Sequence, residues 1–151
     1  MLEQREEICV GVNSSIIENY TDLNRELSLK YPQMILHRAL DEYDLQGRKT
    51  GMNKNEREFA RLLIRRNFLV YREPEIRDCN RIPDFFVLNP RSGVGKLVEI
   101  TLFFSDSIDN RKRQQIAELE SCGIPFVVLY REQMENIKRY VWRNLFDQNV
   151  V

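Results

Sequence analysis

Histidine is all but missing: His37 is the single one in the chain. Hydrolysis by an activated Ser or Cys needs a base held beside the nucleophile. His37 falls on an amphipathic N-terminal segment with no partner motif, and no Ser or Cys has a recognisable elbow around it, so that chemistry is not expected. Cysteine is scarce as well. Cys9, Cys79 and Cys122 are odd in number and widely spaced, which points to neither a disulfide framework nor a zinc site. They read as intracellular structural thiols. No apolar run is long enough to span a bilayer, so no membrane partner is expected. An excess of one charge is also absent, since 23 Lys and Arg face 23 Asp and Glu. Any nucleic-acid contact must therefore rest on local patches. There is no P-loop: Gly93-Val94-Gly95-Lys96 lacks the spacing and precedes a strand. Met1-Leu2-Glu3-Gln4-Arg5-Glu6-Glu7 lacks the shape of a signal peptide, so a cytoplasmic location is expected. No internal repeat, low-complexity tract or linker breaks the 151 residues, and a single domain with a sizeable core is expected.

What the sequence does have is two apolar runs, each with one acid inside it. Arg81-Ile82-Pro83-Asp84-Phe85-Phe86-Val87-Leu88 and Lys96-Leu97-Val98-Glu99-Ile100-Thr101-Leu102-Phe103 both read as strands, separated by turn chemistry at Asn89-Pro90-Arg91-Ser92-Gly93-Val94-Gly95. A carboxylate among apolar neighbours is costly unless something pairs with it. A bound cation is one such partner, so Asp84 and Glu99 are the first candidates for function.

The rest of the chain arranges itself around them. Ile16, Tyr20, Leu23 and Leu27 recur at helical spacing after Ser15, predicting a helix over about 15–30 that Tyr31-Pro32 ends. A second helix is predicted with Ile35, Leu36, Ala39, Leu40 and Tyr43 inward, ending at Gly47. The following loop, with Arg48 and Lys49, is basic and flexible and suits a phosphate backbone or plain solvent. A third helix runs from about Asn55 to Arg66. Steps of three and four from Glu56 reach Phe59, Ala60 and Leu63, so Glu56 lies on the stripe that faces the sheet. Arg57, Arg61 and Arg65 form a basic stripe beside it. Asn67–Arg72 starts the first core strand. In the Glu99 run, alternation puts Leu97, Glu99, Thr101 and Phe103 on one face and Val98, Ile100, Leu102 and Phe104 on the other, as in a strand buried on both sides. Ser105-Asp106-Ser107 is read as the cap of the next helix, which ends at Gly123. Lys112 and Gln115 fall on its apolar stripe with Ile108, Ile116 and Leu119. Ile124–Tyr130 is a buried strand reached by a crossover, hence a parallel or mixed sheet. A last helix runs from about Glu132 to Phe146, with Met134, Ile137, Val141 and Leu145 inward.

The order is a helix with Glu56, a strand, a strand with Asp84, a strand with Glu99, a helix with Lys112 and a strand. Over roughly residues 51–131 this resembles the PD-(D/E)XK nuclease superfamily, which includes archaeal Holliday junction resolvases and restriction endonucleases. The matching pieces are Asn55-Glu56-Arg57-Glu58-Phe59-Ala60-Arg61-Leu62-Leu63, Pro83-Asp84 and Val98-Glu99-Ile100-Thr101. The resemblance implies an α/β, restriction endonuclease-like αβββαβ core over 51–131 with a central mixed sheet flanked by helices. An N-terminal helical extension would fill 1–50 and a C-terminal helix 132–151.

It also implies a metal-dependent DNA endonuclease, with junctions or branched DNA among the substrates to be expected. Clustered carboxylates suit Mg²⁺ or Mn²⁺. Asp84, Glu99 and the Ile100 carbonyl would be the metal ligands, with Glu56 holding a water or a second ion. The family usually carries Lys two residues after the second acid, and here that place is Thr101. Lys112 is the replacement expected from the next helix, with Lys96 a weaker candidate on the opposite face of its strand, and Gln115 would support a phosphate or the lysine. Arg48, Lys49, Arg57, Arg61 and Arg111 would contact DNA. A homodimer is expected, because cutting two strands needs two sites and two-fold symmetry is the commonest form. The alternative is a catalytically inactive DNA-binding or assembly protein on the same fold. A further alternative is an unrelated interaction protein whose Asp84 and Glu99 form ordinary salt bridges, for instance with Arg81.

Overall fold

The computed structural model describes residues 25–46 and 50–141. The chain divides between Pro32 and Gln33 into two compact units. In the first, residues 25–30 are helical, and the Tyr31 N–H donates to the Leu27 carbonyl at 2.7 Å just before Pro32. The rest of the helix predicted over 15–30 lies outside the described residues.

The second unit runs β1 (Met34–Ile35), a 3-10 turn (Glu42–Leu45), α1 (Lys54–Arg65), β2 (Leu69–Arg72), β3 (Glu75–Ile76), β4 (Phe85–Leu88), β5 (Gly95–Ile100), α2 (Asn110–Glu120), β6 (Phe126–Leu129), α3 (Arg131–Met134) and α4 (Ile137–Val141). Four strands form a mixed sheet in the order β2-β4-β5-β6. The first three are antiparallel and β6 is parallel to β5, as the crossover through α2 requires. β1 and β3 pair separately as a two-stranded sheet. This is a mixed α/β fold with helices flanking the sheet. No helix among the described residues is long and apolar enough to cross a membrane.

The core forms where α1 covers the sheet. Phe59, Ala60 and Leu63 of its predicted stripe are wholly buried and pack with Val70, Phe85, Val87, Val98 and Leu129. The Phe59 and Phe85 rings meet at 5.3 Å between centroids. Burying a stripe of this kind contributes about 1.5–3 kcal/mol per large side chain. Leu97 and Val98 point to opposite faces of β5 and both are fully buried, so the central position read from the sequence holds.

Several boundaries differ from the sequence reading. The second N-terminal helix does not form. Met34 and Ile35 pair with Ile76 and Glu75 instead, and the Leu40 N–H donates to the Val70 carbonyl. A new turn then starts at Asp41, whose carboxylate caps Asp44. Tyr43, expected inward, is 82% exposed. His37 stands exposed outside any helix. β5 stops at Ile100 rather than at Phe103. Thr101 still donates to the Leu129 carbonyl, but its hydroxyl accepts the Phe103 N–H at 3.2 Å, which turns the chain out of the sheet. Leu102, Phe103 and Phe104 are therefore exposed, Leu102 at 65%. The cap of α2 is Asp109, not the Ser105–Ser107 run. The predicted last helix breaks at residues 135–136 into α3 and α4. Of its inward residues, Met134 is buried and Ile137 half-buried, and Leu145 lies outside the described residues, as does Trp142.

Candidate active site

Asp84 is the last residue before β4, and Glu99 sits near the end of β5. The register pairs Phe85 with Val98, so one step further sets Asp84 opposite Glu99. Here the ladder changes character. The Asp84 N–H donates to Glu99 Oε1 at 3.2 Å, and the Ile100 N–H donates to Asp84 Oδ2 at 2.7 Å. Each carboxylate takes a backbone donor from the other's strand end.

α2 adds the cation. Asp109 accepts the Lys112 N–H at 2.8 Å and fixes the first turn. From that turn Lys112 Nζ reaches Glu99 Oε2 at 2.9 Å, with the two side chains only 15% and 13% exposed. Gln115, one turn on, is half-buried. From the other side, α1 brings Glu56. Asn53 and Glu56 form a capping box: Asn53 Oδ1 accepts the Glu56 N–H at 2.8 Å and Glu56 Oε1 accepts the Asn53 N–H at 2.9 Å.

The electrostatics single out Asp84. Burial pushes its carboxyl up to about 8, helped by the charge of Glu99 and by the hydrogen bond and charge of Glu56, against the stabilising Ile100 N–H. It makes no ion pair among the described residues, whereas Glu99 has Lys112. The ordinary salt bridge to Arg81 does not form, because Arg81 Nε pairs with Glu118 at 3.0 Å.

Glu56, Asp84, Glu99 and Lys112, named from the sequence, thus come together. Ile100 joins them through its N–H. Thr101 does not: it is 5% exposed and occupied with Phe103 and Leu129, so no reactive group stands at the place of the motif lysine. Lys96 pairs opposite Val87, and alternation turns it to the face away from Glu99. Burial holds its ammonium below the ordinary lysine range. The basic stripe of α1 is largely tied up. Arg57 donates to the Met52 carbonyl at 2.6 Å, and Arg65 pairs with Glu42 at 2.5 Å. Arg61 is half-buried, and Arg111 is exposed beside Lys112. Arg48 and Lys49 lie outside the described residues. Asn53 is the site residue that the sequence reading passed over, although its spacing three before Glu56 is that of a capping box.

Among the described residues no group of three His, Cys, Asp or Glu side chains forms a ready-made metal cage. Mg²⁺ does not require one, since it is commonly held by one or two carboxylates, waters and substrate phosphates. The donor set therefore fits such an ion: hard oxygen ligands, and one carboxyl pushed up by burial and by two neighbouring acids. Comparison with known proteins finds no match among family models, curated proteins or solved structures.

Proposed function

We propose that the chain is a metal-dependent DNA endonuclease that hydrolyses phosphodiester bonds, with Asp84, Glu99, Glu56 and Lys112 as its site. The observation that carries this reading is the Asp84 carboxyl, held between two other acids with no ion-pair partner among the described residues. A structural carboxylate would be expected to have a cation of its own. Asp84 and Glu99, with the Ile100 carbonyl, would hold Mg²⁺ or Mn²⁺. When bound, the ion would activate water and offset charge on the scissile phosphate. Lys112, already drawn in by Glu99, would present its remaining ammonium protons to a phosphate oxygen as charge develops there. Glu56 would accept a proton from a water near Asp84, and Gln115 would help orient the phosphate. Two copies acting together would suit cleavage of both strands, and a cytoplasmic setting suits the substrate.

A second reading is a DNA-binding or assembly protein that has lost catalysis. The burial of Thr101 at the motif position favours it. The test uses supercoiled plasmid, linear duplex and a four-way junction, each with EDTA, Mg²⁺ or Mn²⁺, beside Asp84→Ala. Metal-dependent cutting that the variant lacks supports the nuclease, and the preferred substrate defines its kind. DNA binding without cutting supports the second reading. Full cutting by Asp84→Ala sinks the mechanism.

A further inference from the structure

Cys79 and Cys122 are free thiols far apart in sequence whose surroundings meet in the fold. Cys79 follows the turn after β3, on the segment that leads to Asp84. Cys122 follows the C-terminal end of α2, the helix that carries Lys112. The Cys79 thiol donates to the Arg81 carbonyl at 3.6 Å and the Cys122 thiol to the Glu118 carbonyl at 3.4 Å. Arg81 and Glu118 are themselves paired at 3.0 Å. Gln33 then ties both backbones together: its carbonyl accepts the Arg77 N–H at 2.8 Å, and its side-chain amide donates to the Cys122 carbonyl at 3.4 Å. Burial, together with the neighbouring Cys79 thiol, pushes the Cys122 thiol up to about 11. Both side chains are only half-buried, so a small oxidant can reach them.

We propose that Cys79 and Cys122 are a redox dithiol that a hydroperoxide converts to a disulfide, stapling the Asp84 segment to the end of the Lys112 helix. The thiolate of Cys79 attacks one peroxide oxygen. The O–O bond breaks, the leaving oxygen takes a proton and departs as water or an alcohol, and Cys79 becomes a sulfenic acid. The Cys122 sulfur then attacks the Cys79 sulfur. The S–O bond breaks, and the departing hydroxide leaves as water with the Cys122 proton. Two thiols are oxidised to one disulfide and one peroxide is reduced. Cys122, which keeps its proton, suits the resolving role. The disulfide does not depend on the nuclease reading, because its formation is read from the thiols and not from cleavage.

The experiment uses the full chain, reduced and then treated with one equivalent of hydrogen peroxide. Thiol titration with Ellman's reagent is expected to fall from three groups to one. Peptide mapping without reductant is expected to show Cys79 linked to Cys122, and Tm is expected to rise by roughly 5–10 °C and to return on adding dithiothreitol. Cys9→Ser should form the same link. Cys122→Ser should instead leave a sulfenic acid on Cys79 that dimedone traps. Linkage through Cys9, oxidation of Cys79 to sulfinic acid without a cross-linked peptide, or a linked protein that melts lower than the reduced one would overturn the proposal.

Discussion

Asp84 and Glu99 close the end of the β4–β5 ladder with their side chains: Glu99 accepts the Asp84 N–H, and Asp84 accepts the N–H of the residue after Glu99. Two acids are thereby held at one strand end, facing a third on α1. Lys112 answers one of them at 2.9 Å. The imbalance that remains is a property of this arrangement, and it has consequences for both stability and metal binding.

Asp84→Asn is expected to stabilise the protein at alkaline pH while abolishing cleavage. The Asp84 carboxyl has an ordinary value of 3.8 and is pushed up to about 8 in the fold. Below pH 4 it is protonated in both states. Between about 4 and 8 the unfolded chain releases the proton and the folded chain retains it, so wild-type stability falls as pH rises through this window and levels off above it. The loss is on the order of 5 kcal/mol. Asn keeps an oxygen for the Ile100 N–H and has no proton to lose. Urea unfolding of both proteins from pH 4 to 9 checks this: the difference in ΔG should grow with pH and flatten near 8. A constant difference would show that Asp84 ionises normally.

Divalent ion binding should depend on the same proton. An ion that binds the Asp84 carboxylate must displace its proton, so affinity should rise about tenfold per pH unit up to about 8 and then level. Thermal melts with graded Mg²⁺ at pH 6, 7, 8 and 9 measure this. The stabilisation should be weak at pH 6, strong at pH 8 and absent in Asp84→Asn. An Mg²⁺ effect of equal size at every pH would place the ion elsewhere.

The acids were legible in the sequence because their neighbours are not polar: a carboxylate at the head of Asp84-Phe85-Phe86-Val87-Leu88 or inside Leu97-Val98-Glu99-Ile100 stands out against its run. Glu56 was legible from the three-four spacing of Phe59, Ala60 and Leu63, which the structure buries completely. Lys112 was legible for the same reason, as a polar residue on an apolar stripe. The N-terminal segment was not. Ile35, Leu36, Leu40 and Tyr43 have helical spacing, but Met34 and Ile35 find strand partners in β3 and Asp41 starts a separate turn. Pairing with a distant segment overrides local periodicity. The end of β5 was misread because Leu102, Phe103 and Phe104 continue the apolar pattern, and only the Thr101 hydroxyl capturing the Phe103 N–H reveals the turn. The meeting of Cys79 and Cys122 leaves no local signal at all, since it arises from tertiary contacts.

Lys112 should be separable into a structural and a chemical part. Lys112→Met leaves the Glu99 carboxylate, 13% exposed, without its cation. A loss of about 2–4 kcal/mol is expected, partly recovered by Mg²⁺ at pH 8. Lys112→Arg keeps the charge and should keep most of the stability. Its bulkier, forked head cannot present the same point charge, so cleavage should fall by about 100-fold. Denaturation and cleavage rates measured side by side test this. An arginine variant that is stable and fully active would limit Lys112 to holding Glu99.

Gly95 provides a control at the far end of β5. A Cβ there would stand 2.3 Å from Cζ of Phe86, with both Cε atoms near 3 Å as well. Phe86 is wholly buried and cannot swing aside into solvent. Gly95→Ala must therefore displace an aromatic ring from a packed core, at a cost of about 1–3 kcal/mol. Gly95 pairs with Leu88 at one end of the β4–β5 register, while the acids sit beyond the other end. The variant should melt several degrees lower yet bind Mg²⁺ with unchanged pH dependence below its melting range. Calorimetry and the Mg²⁺ titration on one preparation decide the matter. A Gly95→Ala protein with normal Tm would mean that Phe86 does not pack over this glycine. One that loses Mg²⁺ binding while still folded would mean that the sheet transmits strain along its length to the carboxylates.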